Sequence, residues 1–125
     1  MDKRPPIIFM HHGVIKEPTQ IPPDRETGSE LYDLSYQNFN AHMEYLRIHQ
    51  CPVGVLDDEE NFDSGLGAAN PKGISKVVLT FDDGEMNNFQ NAFSILRSFG
   101  FLAYFFVTVH RIGKKGYMGW EELKE

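Results

Sequence analysis

The chain has 125 residues, and its 12 Lys and Arg against 18 Asp and Glu give a formal net charge of −6. A hydrophobic content of 41% in a chain of this size is enough for one buried core, which excludes a largely disordered protein. Nucleic acids and anionic membrane surfaces attract clusters of Lys and Arg, and this acidic chain has no such cluster.

The cysteine content and the amino-terminal residues exclude further kinds of site and location. The single cysteine, Cys51, has no partner for an intrachain disulfide or for a thiolate pair on a metal. The apolar run at residues 7–10 follows Lys3 and Arg4 but is too short for an export signal or a membrane span. We therefore predict a cytoplasmic protein without a membrane span.

The first third of the chain predicts a strand, a long loop and a helix. Residues 7–10 are uniformly apolar, which is typical of a strand buried on both faces of a parallel sheet. Residues 14–34 contain Pro, Gly and acidic residues without an apolar period and predict a surface loop. Ser35 is a favourable N-cap for a helix over residues 36–49. The apolar stripe of that helix consists of Tyr36, Phe39, Met43 and Leu46.

The middle of the chain predicts two more strands separated by a loop. Residues 52–56 resemble a second short buried strand. A loop is predicted over residues 57–75, and it opens with a solvated acidic run. Residues 77–81 are β-branched and aromatic, and they form the clearest strand in the sequence.

The last third predicts a helix, a strand and the start of another helix. Asn87 or Asn88 is the expected cap of the first helix, and Gly100 is placed where a helix ends. Residues 101–109 predict a strand, and Trp120 opens a further helix. The core residues expected here are Phe93, Leu96, Phe99 and Phe105. The alternation of strands and helices predicts an α/β fold with a parallel sheet, either open or closed into a barrel.

Two adjacent carboxylates, Asp82 and Asp83, directly follow the strand at residues 77–81. Reactive groups in parallel α/β proteins gather at the carboxyl ends of the strands. A cation on one carboxylate relieves the repulsion between the two, and the other carboxylate can then act as a base toward water. The alternative is a plain turn, because Asp-Asp-Gly also favours turns for local reasons.

Histidines provide further candidate site residues. Those that follow predicted strands, and so could contact substrate or a metal-bound water near Asp83, are His11, His12 and His110. The alternative for each is a hydrogen-bonded structural role. His42 and His49 are predicted at the surface or at the edge of the core. No two histidines lie four residues apart, so the chain has no His-x-x-x-His pair for a metal.

The segments 78–84, 103–107 and 120–123, with Ile112-Gly113 between the last two, resemble the amino-terminal half of a polysaccharide deacetylase of the NodB-homology type, carbohydrate esterase family 4. Its most specific element is the block Thr-Phe-Asp-Asp-Gly at residues 80–84. Residues 9–12 and the helix that follows resemble members that begin with a Tyr-His-like strand. The resemblance covers nearly the whole chain.

The resemblance implies a parallel-sheet (β/α) barrel of which residues 1–125 form an incomplete amino-terminal half. It implies a hydrolase that removes N-acetyl or O-acetyl groups from polysaccharides, with Asp82 as the general base and Asp83 as a ligand of a divalent cation, usually zinc. In the family the other two ligands come from a His-x-x-x-His motif beyond a helix like the one at Trp120, and this chain lacks it. We expect the chain alone to be inactive and its exposed sheet edges to favour self-association.

Two other interpretations compete with the deacetylase. Phosphoaspartate enzymes of the haloacid-dehalogenase type need Asp-x-Asp followed by Thr, whereas Asp82 and Asp83 are adjacent and Glu85 stands at the later position. A non-catalytic remnant of the same fold that binds a glycan or a protein stays open. The substrate is also open among chitin oligomers, peptidoglycan, exopolysaccharide and acetylated xylan, and relatives of this kind are often exported.

Overall fold

The computed structural model describes residues 5–56 and 75–125, and a three-stranded parallel sheet lies at its centre. The strands are β1 (Ile7–His11), β4 (Val77–Asp83) and β5 (Ala103–Val107), in the spatial order β1-β4-β5. Ile7 of β1 is opposite Val77 of β4, and Leu79 of β4 is opposite Ala103 of β5. The predicted parallel α/β sheet is confirmed.

In the described part of the chain, the sheet is accompanied by the α-helices α1 (Tyr36–Ile48), α2 (Ser94–Phe99) and α3 (Trp120–Leu123). The Oγ of Ser35 accepts the backbone N–H of Asn38 at 3.1 Å, which confirms the predicted N-cap of α1. Gly100 ends α2 at a φ of 71°, a left-handed conformation that glycine adopts without a Cβ clash. Within the described ranges, no helix has the length and apolarity needed to cross a membrane.

The core lies between one face of the sheet and the helices. It takes Val77, Leu79 and Phe81 from alternate positions of β4, and the ring of Phe81 stacks on that of Phe105 at 4.8 Å. The core residues that α1 contributes are Phe39, Met43 and Leu46, as the helical stripe predicts. The apolar side chains of β4 are buried: Val77, Val78, Leu79 and Phe81 are at most 3% exposed.

Strand β1 differs from the predicted doubly buried strand. Its first four side chains, Ile7, Ile8, Phe9 and Met10, are between 44% and 59% exposed. Among the described residues β1 pairs with β4 along one edge only, so the other edge has no neighbour to cover these side chains. The prediction of burial on both faces is therefore wrong for the described part of the chain, which carries an exposed apolar edge.

Residues 14–34 are more ordered than the predicted loop. The segment starts in β2 (Val14–Ile15) and ends in β3 (Leu34–Ser35), two short strands that pair in parallel. Val14 is fully buried in the core. Strands of two residues are too short to produce a visible apolar period, which is why the sequence did not indicate them.

Two predicted strands are shorter in the structure. Residues 52–56 form no strand, because only Val53 bridges to Val77, although Val53 itself is buried. The strand predicted over residues 101–109 is reduced to β5. Cys51 is partly buried. The acidic run at residues 57–60 and all but the last residue of the predicted loop 57–75 lie outside the described residues.

The helix that follows β4 begins with a π-helical segment, Asn88–Phe93, before it continues as α2. Neither predicted cap is found: Asn87 has helical φ and ψ of −63° and −22°, and its side chain is buried. The wider turn changes which residues face the core. Phe93 therefore stacks on Phe89 at 5.5 Å outside the main core. Of the other predicted core residues, Leu96 is buried, and Phe99 and Phe105 pack at the edge of the core.

Candidate active site

Asp82 and Asp83 are the last two residues of β4, at the carboxyl end of the central strand. Asp83 has a φ of 81°, a left-handed value that costs a residue other than glycine about 1–3 kcal/mol. Gly84 follows at a φ of 72°, where a Cβ would lie 3.0 Å from Cγ1 of Val107. Glycine is therefore favoured at residue 84, both by its positive φ and by the close approach of Val107.

The structure brings His12 to Asp83. Its Nδ1 lies 3.1 Å from Oδ2 of Asp83, and the two side chains are 22% and 41% exposed. Since β1 and β4 are parallel neighbours, the residue after β1 meets the last residue of β4 at one edge of the sheet. An ionised carboxylate only accepts hydrogen bonds, so Nδ1 donates and Nε2 is the ring nitrogen that can face a substrate.

The other strand-end histidines lie elsewhere. His11 is in the core, where its Nδ1 is 3.2 Å from the carbonyl oxygen of Thr80 and its ring stacks on Phe81. Burial lowers the pKa of His11 below its ordinary value of 6.5, so the ring is neutral near pH 7. His110 is exposed in the 3-10 turn Val109–Arg111. Neither side chain is at Asp83, in contrast to the predicted contacts. His42 lies on α1, His49 is the C-cap of α1, and both are exposed.

A nearly buried cluster of charges borders this pair. Nε and Nη2 of Arg25 each donate to a carboxylate oxygen of Glu85 at 3.0 Å. Nη1 of Arg25 donates to Asp33 at 2.9 Å, and Nη2 donates to the other Asp33 oxygen. The hydrogen bonds to Asp33, followed by those to Glu85, raise the pKa of Arg25. This Arg25–Glu85–Asp33 cluster joins the residue after Gly84 to the loop between β2 and β3.

Three buried asparagines explain the irregular start of the second helix. Oδ1 of Asn87 accepts the N–H of Val14 at 2.9 Å, and Nδ2 of Asn91 donates to the Val14 carbonyl at 2.7 Å. Nδ2 of Asn88 donates to the carbonyl of His12 at 2.8 Å. The π-helical segment thus presents amides to the backbone at residues 12–14, and these bonds fix the position of His12.

A cavity of about 370 Å³ opens over the His12–Asp83 pair. Its other walls include Arg25, Tyr32 and Glu85. A larger groove of about 700 Å³ runs between β1 and α1, but it contains neither Asp82 nor Asp83 among its lining residues. We place the candidate site in the smaller cavity because His12 and Asp83 line it, whereas Asp82 is among the lining residues of neither cavity.

The described residues do not fit a complete metal site. They contain no group of three His, Cys, Asp or Glu side chains close enough together to hold a metal ion. His12 and Asp83 supply two candidate ligands, whereas structural or catalytic zinc needs at least three protein ligands.

Several residues of this site had no signal in the sequence. Arg25 and Glu85 are 60 residues apart, and a single Arg in a loop rich in Pro and Asp shows no local pattern. Tyr32 and Asp33 lie in the same loop. Asn87 and Asn88 do have a local signal, but it predicts a helix cap, because that is the usual role of Asn at a helix start.

The comparisons with known proteins agree with this geometry. Residues 69–125 match the family model for polysaccharide deacetylases. The chain is 33% identical over 120 residues to YxkH of Bacillus subtilis (strain 168), which is assigned as a polysaccharide deacetylase. That alignment covers 94% of this chain but 37% of YxkH.

Solved structures share the fold. BC0361, a polysaccharide deacetylase from Bacillus cereus, matches with a TM-score of 0.69 at 22% identity, covering 95% of this chain and 34% of its own. IcaB from Ammonifex degensii matches with a TM-score of 0.68 at 23% identity, and the match covers 95% of this chain and 46% of IcaB. A de-N-acetylase from Aggregatibacter actinomycetemcomitans matches with a TM-score of 0.69 at 16% identity, and the match covers 94% of this chain and 48% of that protein.

These matches have the same extent: each covers nearly all of this chain and less than half of the relative. Residues 69–125, the part that matches the family model, include β4, β5 and the carboxylate pair at the end of β4. The chain is similar to polysaccharide deacetylases over nearly its whole length, and it spans less than half of the length of these relatives.

Proposed function

We propose that the protein containing this chain is a metal-dependent hydrolase that removes N-acetyl groups, or O-acetyl groups, from a polysaccharide. The observation that carries the proposal is the carboxylate pair at the end of β4, with Asp83 in a left-handed conformation and hydrogen-bonded to His12. The match of residues 69–125 to the polysaccharide deacetylase family and the similarity to YxkH support the reaction class. The cytoplasmic location and the identity of the glycan stay predictions.

Asp82 is proposed as the general base. Hydrolysis of an acetamide adds water across the C–N bond: the new C–O bond forms at the carbonyl carbon, the C–N bond breaks, and acetate and an amine leave. A base must take a proton from the attacking water, and a carboxylate at the strand end is suited to this task. Asp82 is partly exposed, which leaves it reachable by water.

Asp83 is proposed as a ligand of a divalent cation, zinc by resemblance to the family. The cation would polarise the acetyl carbonyl. At least one further ligand would have to lie outside the described residues, since those residues hold no three-ligand group. Because the sequence also lacks the His-x-x-x-His pair that the family resemblance implies, we propose that the 125-residue chain alone binds Zn²⁺ weakly and releases no acetate.

The test uses calorimetry with Zn²⁺ and acetate release from a chito-oligosaccharide, both measured on this chain and on the full-length protein. We expect tight binding and acetate release from the full-length protein only. Asp82→Asn should abolish acetate release without loss of Zn²⁺ binding, whereas Asp83→Asn should weaken both. Asp24→Asn, an exposed carboxylate in the loop, is the matched control.

Two outcomes contradict the proposal. Zn²⁺ bound tightly by the 125-residue chain, and lost in Asp83→Asn, would show that the chain completes a site of its own. A full-length protein that binds an acetylated glycan but releases no acetate from chitin, peptidoglycan, exopolysaccharide or xylan would favour the non-catalytic remnant.

A further inference from the structure

Tyr32 combines high exposure with a position at the candidate site. Its side chain is 61% exposed, yet its ring centroid lies 5.2 Å from that of His12, and it lines the same cavity as Asp83. Tyr45 is also 61% exposed, but it lies on α1 with its ring 4.1 Å from His49. The two tyrosines therefore differ in location and not in exposure.

The backbone on both sides of Tyr32 is held in place. Tyr32 ends the 3-10 turn Ser29–Tyr32, and the next residue, Asp33, is bound through both carboxylate oxygens by Arg25. The N–H of Leu34 then donates to the carbonyl of Gly13 at 2.9 Å. The ring is thus presented to solvent from a fixed segment, with the Arg25–Glu85–Asp33 cluster behind it.

We propose that Tyr32 determines substrate binding by stacking on a sugar ring of the polysaccharide, and that Arg25 is the positioning residue that holds it. The proposal rests on the proposed function. One side of the Tyr32 ring leans toward His12, and the exposed remainder can meet the apolar C–H face of a pyranose. A tyrosine with two side-chain torsions on a fixed backbone loses little entropy on binding, so stacking here is efficient.

The first experiment compares three variants of the full-length protein with N-acetylglucosamine oligomers as the probe. Tyr32→Ala should raise KM for acetate release about tenfold, with a smaller effect on kcat, because a lost aromatic stacking contact is worth about that factor. Tyr32→Phe should behave like the parent protein, since the ring and not the hydroxyl makes the contact. Tyr45→Ala, matched in residue type and exposure, should also leave KM unchanged.

A second experiment tests the role of Arg25. If Arg25 acts through Tyr32, the double variant Arg25→Gln/Tyr32→Ala should raise KM no further than Tyr32→Ala does alone. In Arg25→Gln the NMR cross-peaks between the Tyr32 and His12 rings should weaken, and Arg25→Lys should restore them only in part because Lys lacks the two-pronged geometry.

Clear results overturn the inference. A KM for Tyr32→Ala within twofold of the parent, or an equal rise in Tyr45→Ala, would exclude stacking by Tyr32. Additive effects of the Arg25 and Tyr32 changes would exclude positioning. If the parent releases no acetate from chitin, peptidoglycan, exopolysaccharide or xylan, the proposed function fails. Calorimetric binding of the N-acetylglucosamine oligomers then decides: Tyr32-dependent binding would support the stacking residue, and Tyr32-independent or absent binding would refute it.

Discussion

Replacing Arg25 by Met should destabilise the protein strongly. The guanidinium donates to both oxygens of Glu85 and both oxygens of Asp33, and the three side chains are 9%, 3% and 15% exposed in the order Arg25, Glu85, Asp33. Met preserves much of the apolar stem but removes the charge. Two carboxylates are then left in the interior without a cation.

The magnitude follows from the burial of the pair. Removing one partner of a buried ion pair costs about 3–5 kcal/mol, because the remaining charge is desolvated and unpaired. Asp33 is the more exposed carboxylate and can recover some hydration, which favours the lower half of that range. With a urea dependence of about 1–3 kcal/mol per molar, the unfolding midpoint should fall by about 2 M.

Urea unfolding followed by circular dichroism measures this loss. Arg47→Met is the matched control, since Arg47 is 56% exposed and pairs with Glu44 at 3.2 Å, and it should cost less than about 1 kcal/mol. The triple variant Arg25→Met/Glu85→Gln/Asp33→Asn should recover part of the stability because it buries no charge. Equal free energies of unfolding for Arg25→Met and Arg47→Met would refute the argument from burial.

Three further predictions concern the turn, the core histidine and the open edge. Asp83→Gly should be about 1 kcal/mol more stable to thermal unfolding than Asp83→Ala, because glycine accepts a φ of 81° without strain; equal stabilities would show that the turn relaxes. Burial lowers the pKa of His11 below 6.5 in the folded protein. As the pH is lowered through 6.5 the unfolded chain therefore binds more protons than the folded protein, and the free energy of unfolding should decrease. Urea titrations at about pH 7.5 and about pH 5.5 should show this loss, and an equal loss in His11→Phe would assign it to other groups. Met10→Lys places a charge on the exposed edge of β1 and should reduce self-association in sedimentation velocity; an unchanged oligomer distribution would exclude that edge as the contact.

Much of the fold could be predicted because its signals are local. The apolar stripe of α1, the cap at Ser35 and the terminal glycine at residue 100 depend on contacts within a few residues along the chain. The β-branched run before Asp82 and Asp83 predicts β4 and places the carboxylates at its carboxyl end. Predictions failed where a side chain makes a long-range contact instead of the local one that its sequence position indicates. Asn88, for example, donates to the backbone carbonyl of His12 instead of capping a helix.

The sequence by itself determined the α/β class, the family resemblance and the pair Asp82-Asp83, because each depends on residues that are close in the chain. Only the tertiary structure decided that His12 and not His11 meets Asp83. His12 and Asp83 lie 71 residues apart, and the choice between the two histidines depends on how β1 pairs with β4. The same holds for Arg25 and Glu85, which are 60 residues apart. Whether a side chain is buried in the core or exposed at the site depends on what packs against it, and neighbours along the chain do not carry that information.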